Sequence, residues 1–403
     1  MNINKYFPFV FIYFFVNSLG LPFGLTYMTL LAPVFYVWIL LVRKKEVLLP
    51  FIIILLPFII IHITIVEVEI KSYFTSLLNL VLVYVFCQAV FTFLKTGTDI
   101  EKIFRRILLI NFILCVVAIP LYFTPWFQVA WDEQVLRGGV GAWRRLKLFT
   151  YEPSYYALVF TPLFFFFLLQ FFFHQNKIRP TLLMLMLFLP YVLSFSIGVI
   201  GTALLAGIIT WVFYFKKLTS KRRIANAVIT VGVTVSSALV ILVLFFRHNP
   251  VFTRMGNIFR GQDSSGNGRT VDAFILAGKL LDEKNEYWGI GLGQIKIIGE
   301  SIIRSYYRYN MEMPITIPNA VAETFAIFGW VGVSLRLIIE IFFFFHTKVW
   351  NNYYRLLLFF FMFIYQFTGS FITNMAEYVI WILAFTNVFH QFNVKTVTRS
   401  ESL

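Results

Sequence analysis

Charge is what this chain has least of. Only 13% of its 403 residues are Asp, Glu, Lys or Arg, against roughly 25% in soluble domains. That excludes an ordinary soluble globular fold. Cysteine is scarce: Cys87 and Cys115 are the only two, and both lie inside apolar runs. A disulfide framework is therefore not expected, and the two thiols read as packed core groups. Histidine occurs five times, as His62, His174, His248, His346 and His390. None forms an HxxH or HxxxH pair, so no metal site is signalled, and the loops carry no DxD-like acidic motif. Short alternating apolar segments, the mark of a transmembrane β-barrel, are missing too.

What the chain has instead is apolar length. It is 59% hydrophobic, with a mean hydropathy of +0.80 and 50 phenylalanines, mostly in unbroken runs that suit a lipid-facing surface. A bilayer-spanning helix needs about 20 mostly apolar residues. The pattern predicts an all-α polytopic membrane protein with about twelve spans, near 6–20, 25–42, 47–66, 72–94, 107–124, 152–174, 181–195, 197–215, 224–246, 319–345, 356–373 and 377–392. The first reads as an uncleaved span. With the N-terminus inside, the inner connections and both tails hold 19 of the 34 Lys and Arg, while the short outer turns hold only Lys71. This positive-inside pattern sets the expected orientation.

The organisation follows: N-terminal spans over 1–124, an outer loop over 125–151, central spans over 152–246, a large outer loop over 247–318, and C-terminal spans with a cytoplasmic tail over 319–403. The large loop opens on turn material, "GQDSSGNG". "RTVDAFILAGKLLDE" then reads as an amphipathic helix, with Val271, Phe274, Gly278 and Leu281 on its face and Arg269 at its start. "GIGLG" (289–293) follows no strand and opens no clear helix, so it reads as a turn rather than a dinucleotide loop.

Ionisable residues gather at the outer ends of spans. Arg144, Arg145 and Arg254 fall near span ends. Glu152 precedes Pro153, which fits the first turn of a helix. Glu323 lies four residues into its span after Asn319, and Arg336 and Glu340 stand four apart farther in, as a mutually satisfied pair toward the inner side. Guanidinium groups suit bidentate binding of phosphate oxygens, and a carboxylate at the same depth can take a proton from an attacking hydroxyl. That combination fits glycosyl transfer from a lipid diphosphate, with arginines stabilising the leaving group and no metal or other cofactor required. A lipid-linked oligosaccharide flippase is the competing class. Transporters commonly show inverted repeats and midplane sites, and no internal repeat is evident here.

"RRLKLFTYEPSYYALVFTPLFF", "SFSIGVIGTALLAGII", "GNGRTVDAFILAGKLLDEKNEYWGIGLGQ" and "IPNAVAETFAIFGWVGVSL" resemble, in order, four elements of the O-antigen polymerase (Wzy) and O-antigen ligase superfamily. Together they cover about residues 140–340. The resemblance implies a GT-C-like membrane glycosyltransferase at the periplasmic face of the bacterial inner membrane. It would polymerise undecaprenyl-diphosphate-linked oligosaccharide repeat units, as in lipopolysaccharide biosynthesis. The implied partners are that lipid-linked substrate, membrane lipid and a chain-length-regulating co-polymerase, with no nucleic acid. By the same resemblance Arg269 and one of the arginines before "EPS", Arg145 first, would contact the diphosphate; Arg144 and Arg254, near span ends at the same interface, are further candidates for it. Glu152, Glu323 and Arg269 would be catalytic, and Tyr151, Tyr155 and Asn319 would contact substrate. Ligases typically carry His at the start of the last element, whereas this chain has Pro318 and Asn319 there. That favours a polymerase over an O-antigen ligase-type transferase.

Overall fold

The computed structural model describes residues 5–17, 21, 26–44, 46–135, 142–173, 178–214, 256, 260, 264–307 and 315–394. The expected span 224–246, Arg254 and His248 lie outside the described residues. Among the described residues, regular structure is helical apart from one β-hairpin. The first part of the chain forms α1 (Phe7–Val16), α2 (Tyr27–Leu30), α3 (Ala32–Arg43), α4 (Leu49–Thr64), α5 (Ile70–Leu94) and α6 (Ile100–Leu121). The hairpin of β1 (Trp131–Val135) and β2 (Ala142–Leu146) precedes α7 (Pro153–Phe172), α8 (Pro180–Ser194) and α9 (Ile197–Phe213). Then come α10 (Ser264–Arg269), α11 (Val271–Asp282), α12 (Gly299–Tyr307), α13 (Ala320–His346), α14 (Tyr353–Tyr365) and α15 (Met375–Phe385). Among the described residues α5, α6, α7 and α13 are long and apolar enough to cross a membrane, and the other apolar helices are shorter. This is the make-up of an α-helical membrane protein.

Local chemistry sets the helix starts. Proline occupies the first turn of α3, α4, α7 and α8, where its missing N–H costs nothing. Side-chain oxygens of Glu69, Asp99, Asn319, Asn352 and Asn374 accept first-turn N–H groups of α5, α6, α13, α14 and α15, which would otherwise be orphaned. At the far ends, Arg355 on α14 donates to the Thr347 and Ala384 carbonyls at 2.9 and 2.8 Å. One guanidinium thus caps the C-termini of α13 and α15 together.

The bundle is built around α7, which packs against α8, α9, α14 and α15. Its phenylalanine run is not lipid-facing as the sequence suggested: Phe166 and Phe167 are completely buried. The run on α13 behaves the other way, with Phe342 56% and Phe345 61% exposed. Hydropathy cannot separate the two, because lipid and protein core are equally apolar.

The span expected at 319–345 is broken. Gly329 sits at φ 63, ψ −162 inside α13, a region essentially confined to glycine. Residues 324 and 336 of a straight helix would be about 18 Å apart. Here Arg336 Nη1 lies 3.1 Å from Thr324 Oγ1, so the two halves of α13 fold toward each other. The freed backbone groups are taken by the "GIGLG" turn. Ile290 and Gly291 N–H donate to the Ala326 and Ile327 carbonyls at 2.9 and 3.0 Å. In return Trp330 and Val331 N–H donate to the Glu286 and Tyr287 carbonyls, both at 3.1 Å. This satisfies the rule that irregular backbone within a bilayer must be paired internally.

The same turn is pinned to the rest of the bundle. His62 Nε2 lies 2.7 Å from the Trp288 carbonyl. Gln294 exchanges two hydrogen bonds with the Glu69 backbone, at 3.1 and 3.2 Å. Beneath it α11 buries Ala273, Leu276, Ala277 and Leu280 against α13. The expected face is therefore displaced: Val271 is 61% exposed and Phe274 36%. Leu281 of the expected face is buried, and the inward side of α11 is made of alanines and leucines, while Val271 and Phe274 turn out.

Gly289 is the most constrained residue of this joint. Its φ is +82, and a Cβ there would lie 2.2 Å from the Ile327 carbonyl oxygen. Gly289→Ala should cost at least about 2 kcal/mol through overpacking and backbone strain. Gly278→Ala on α11, where nothing lies within 4 Å of the new methyl, should be neutral or stabilise slightly. Thermal unfolding of the two variants in detergent checks the contrast, and equal midpoints would remove the joint's assigned role.

Candidate active site

At the end of the bundle that carries the hairpin, the N-termini of α7, α13 and α15 and the C-terminus of α14 surround a small cleft. Tyr151, Glu152, Tyr155 and Arg269 line it together with Pro318, Tyr365 and residues of the 370–374 turn. Two segments far apart in the chain thus bring a carboxylate and a guanidinium to one cavity.

Glu152 is placed by local rules. Pro153 begins α7, and Glu152, extended at φ −149 and ψ 156, immediately precedes it. Its Oε1 accepts from the Ser154 hydroxyl at 2.6 Å. Beside it the rings of Tyr151 and Tyr155 lie 4.7 Å apart. The Tyr155 hydroxyl is taken by Asn17. Tyr151 is 42% exposed, yet desolvation of its hydroxyl end, followed by the neighbouring Glu152 charge, pushes its phenol well above the usual tyrosine range. Tyr151 therefore remains a proton-bearing donor.

Arg269 closes α10, and only Thr270 separates it from the start of α11. Its backbone is held from a distance: Asn319 Nδ2 donates to the Arg269 carbonyl at 2.8 Å and to the Phe367 carbonyl at 2.7 Å, while Asn319 Oδ1 caps α13. Asn319 is completely buried, with its amide engaged by the Arg269 and Phe367 carbonyls and the first turn of α13. Glu323 is also outside the cleft lining. Its Oε2 accepts the Ile372 N–H at 2.7 Å and supports the turn that forms the cleft wall.

The hairpin separates the two neighbouring arginines. Consecutive strand residues point to opposite faces, and the register sets Asp132 opposite Arg145 and Glu133 opposite Arg144. Arg145 turns inward, 7% exposed, and donates through Nε to the Ser194 carbonyl at the end of α8, 3.0 Å away. Arg145 is not among the residues that line the cleft. Arg144 turns outward. Its guanidinium pairs with Glu133 at 3.2 Å, reaches the Tyr122 carbonyl and lies 3.6 Å from the Phe127 ring centre.

The Arg336–Glu340 pair exists, at 3.2 Å, but as one edge of a larger buried cluster. Arg336 also binds Glu377 at the start of α15 and the Gln366 amide oxygen, the latter at 2.9 Å. Gln366 donates to Glu340 at 2.7 Å, and the Ser370 hydroxyl donates to Glu377 at 2.6 Å. The break at Gly329 is what carries Arg336 to this end of the bundle. Ser370, Phe371 and Asn374 were not singled out from the sequence; "TGSFITN" signals only a turn. Helices α14 and α15, about 20 and 17 Å long, are short of a 30 Å hydrocarbon core, so in a bilayer that turn would lie recessed.

No protein-family model matches the chain, and no curated protein matches it.

Proposed function

We propose that the chain is a membrane glycosyltransferase that polymerises oligosaccharide repeat units carried on undecaprenyl diphosphate at the periplasmic face of the inner membrane. The observation that carries this reading is the meeting of Glu152 and Arg269 in one aromatic-walled cleft. Arg269 binds the diphosphate of the donor. Glu152 accepts the proton of the attacking sugar hydroxyl. As that oxygen bonds to the anomeric carbon, the bond from the carbon to the diphosphate oxygen breaks, and the diphosphate leaves with the electron pair. Guanidinium stabilisation of such a leaving group is an electrostatic effect that a low-dielectric cleft strengthens. Resemblance of the four quoted segments to the polymerase superfamily supports the same reading, and the Pro318–Asn319 pair in place of a histidine weighs against a ligase.

The test is glycan analysis of a strain lacking the chain. Long polymer should vanish, single lipid-linked repeats should accumulate on the outer leaflet, and the complementing gene should restore the ladder. Repeats trapped on the inner leaflet would replace this reading with a flippase.

A further inference from the structure

The 370–374 turn gives the cleft a floor whose unused hydrogen-bonding capacity can be counted. The Ser370 hydroxyl donates to Glu377 Oε2 at 2.6 Å and accepts from Asn374 Nδ2 at 3.0 Å. A hydroxyl has one proton and two lone pairs, so among the described residues one lone pair of Ser370 remains. Asn374 Oδ1 is committed to the Ala376 N–H at 3.0 Å, and its amide nitrogen keeps a second hydrogen. One acceptor and one donor therefore stand 3.0 Å apart in the cleft lining. That pair complements a single alcohol, which donates to one atom and accepts from the other.

The floor is also over-determined. Ser370 is held at φ 70, a left-handed conformation that glycine adopts freely and serine does not. Its neighbours enforce it. Asn319 binds the Phe367 carbonyl, Ala320 N–H donates to the Gly369 carbonyl at 3.1 Å, and Glu323 and Tyr378 hold both backbone groups of Ile372 at 2.7 and 2.6 Å. Glu377, completely buried and bound by Arg336, fixes the direction of the Ser370 proton. Glycine would satisfy the backbone with less strain, so the serine's hydroxyl is what this position adds to the cavity wall.

We propose that Ser370 and Asn374 form a saccharide subsite that reads one sugar hydroxyl, in a cleft whose lining also includes the aromatic side chains of Tyr151, Tyr155 and Phe371. The choice of a saccharide rests on the glycosyl-transfer reading above. Glu377 and Arg336 act as positioning residues behind Ser370.

Ser370→Gly removes the hydroxyl while relieving the backbone, so it keeps the fold. The full chain in nanodiscs is titrated with farnesyl diphosphate and, separately, with methyl glycosides of glucose, galactose, mannose and N-acetylglucosamine and their monodeoxy analogues, by ligand-observed NMR. At least one glycoside should bind the wild type, and removal of one hydroxyl should weaken it roughly tenfold, the worth of a hydrogen bond. Ser370→Gly should abolish that discrimination and leave farnesyl diphosphate binding unchanged. No glycoside binding by the wild type, or undiminished discrimination in Ser370→Gly, overturns the subsite. Arg269→Ala should weaken only the diphosphate. If it does not, the glycosyl-transfer reading fails, whereas the glycoside data still decide the subsite.

Discussion

Arg269→Ala should eliminate polymer while single-repeat products persist, with transfer falling by about 10²–10³-fold, the usual cost of removing one preorganised group that meets developing charge. Arg269→Lys should retain part of the rate, because an ammonium keeps the charge but loses the planar fork that grips two phosphate oxygens. Asn319→Ala should also slow transfer, by less, since Asn319 holds the Arg269 backbone. Arg144→Ala is the internal control: its guanidinium is engaged by Glu133 and Phe127 on the outer side of the hairpin, and transfer should be nearly unchanged. The readout is polymer length on gels together with transfer rates from purified lipid-linked repeats. Wild-type polymer from an Arg269→Ala strain would rule the assignment out.

The second large effect concerns stability. Arg336→Met leaves Glu340 and Glu377 buried without their shared cation. Breaking a buried ion pair by removing one partner costs about 3–5 kcal/mol, a large share of the stability of most domains. Folded protein extracted from membranes should fall sharply, and the remainder should unfold at lower temperature. Adding Glu340→Gln and Glu377→Gln to Arg336→Met should recover much of that loss, because no uncompensated charge then stays buried. An Arg336→Met protein as stable as the wild type would show that the cluster is solvated and not the closed structure its bonds describe. The triple variant separates stability from function: it should fold yet hold Ser370 less firmly, which links this cluster to the cleft floor.

Much of the architecture was readable from residue order. Apolar length located the long helices, Pro153 announced the start of α7 and so put Glu152 at its mouth, and Asn319 announced the start of α13. The four-residue spacing of Arg336 and Glu340 predicted their pairing. All of these depend on neighbours within a turn or two, where local periodicity and capping chemistry act. Tertiary packing settled the rest. It decided which phenylalanine run faces the core, since a bilayer removes the polarity difference that marks a buried face in soluble proteins. It turned α11 so that its alanines and leucines, and not Val271 and Phe274, meet α13. It separated Arg144 from Arg145 through the hairpin's alternation. The break at Gly329 depends on carbonyl and amide partners supplied by residues 286–291, and no pattern within α13 itself encodes those partners. The same long-range docking brought Ser370 and Asn374 to the cleft and Glu377 behind them, because a hydrogen bond between segments requires their relative placement and not only their composition.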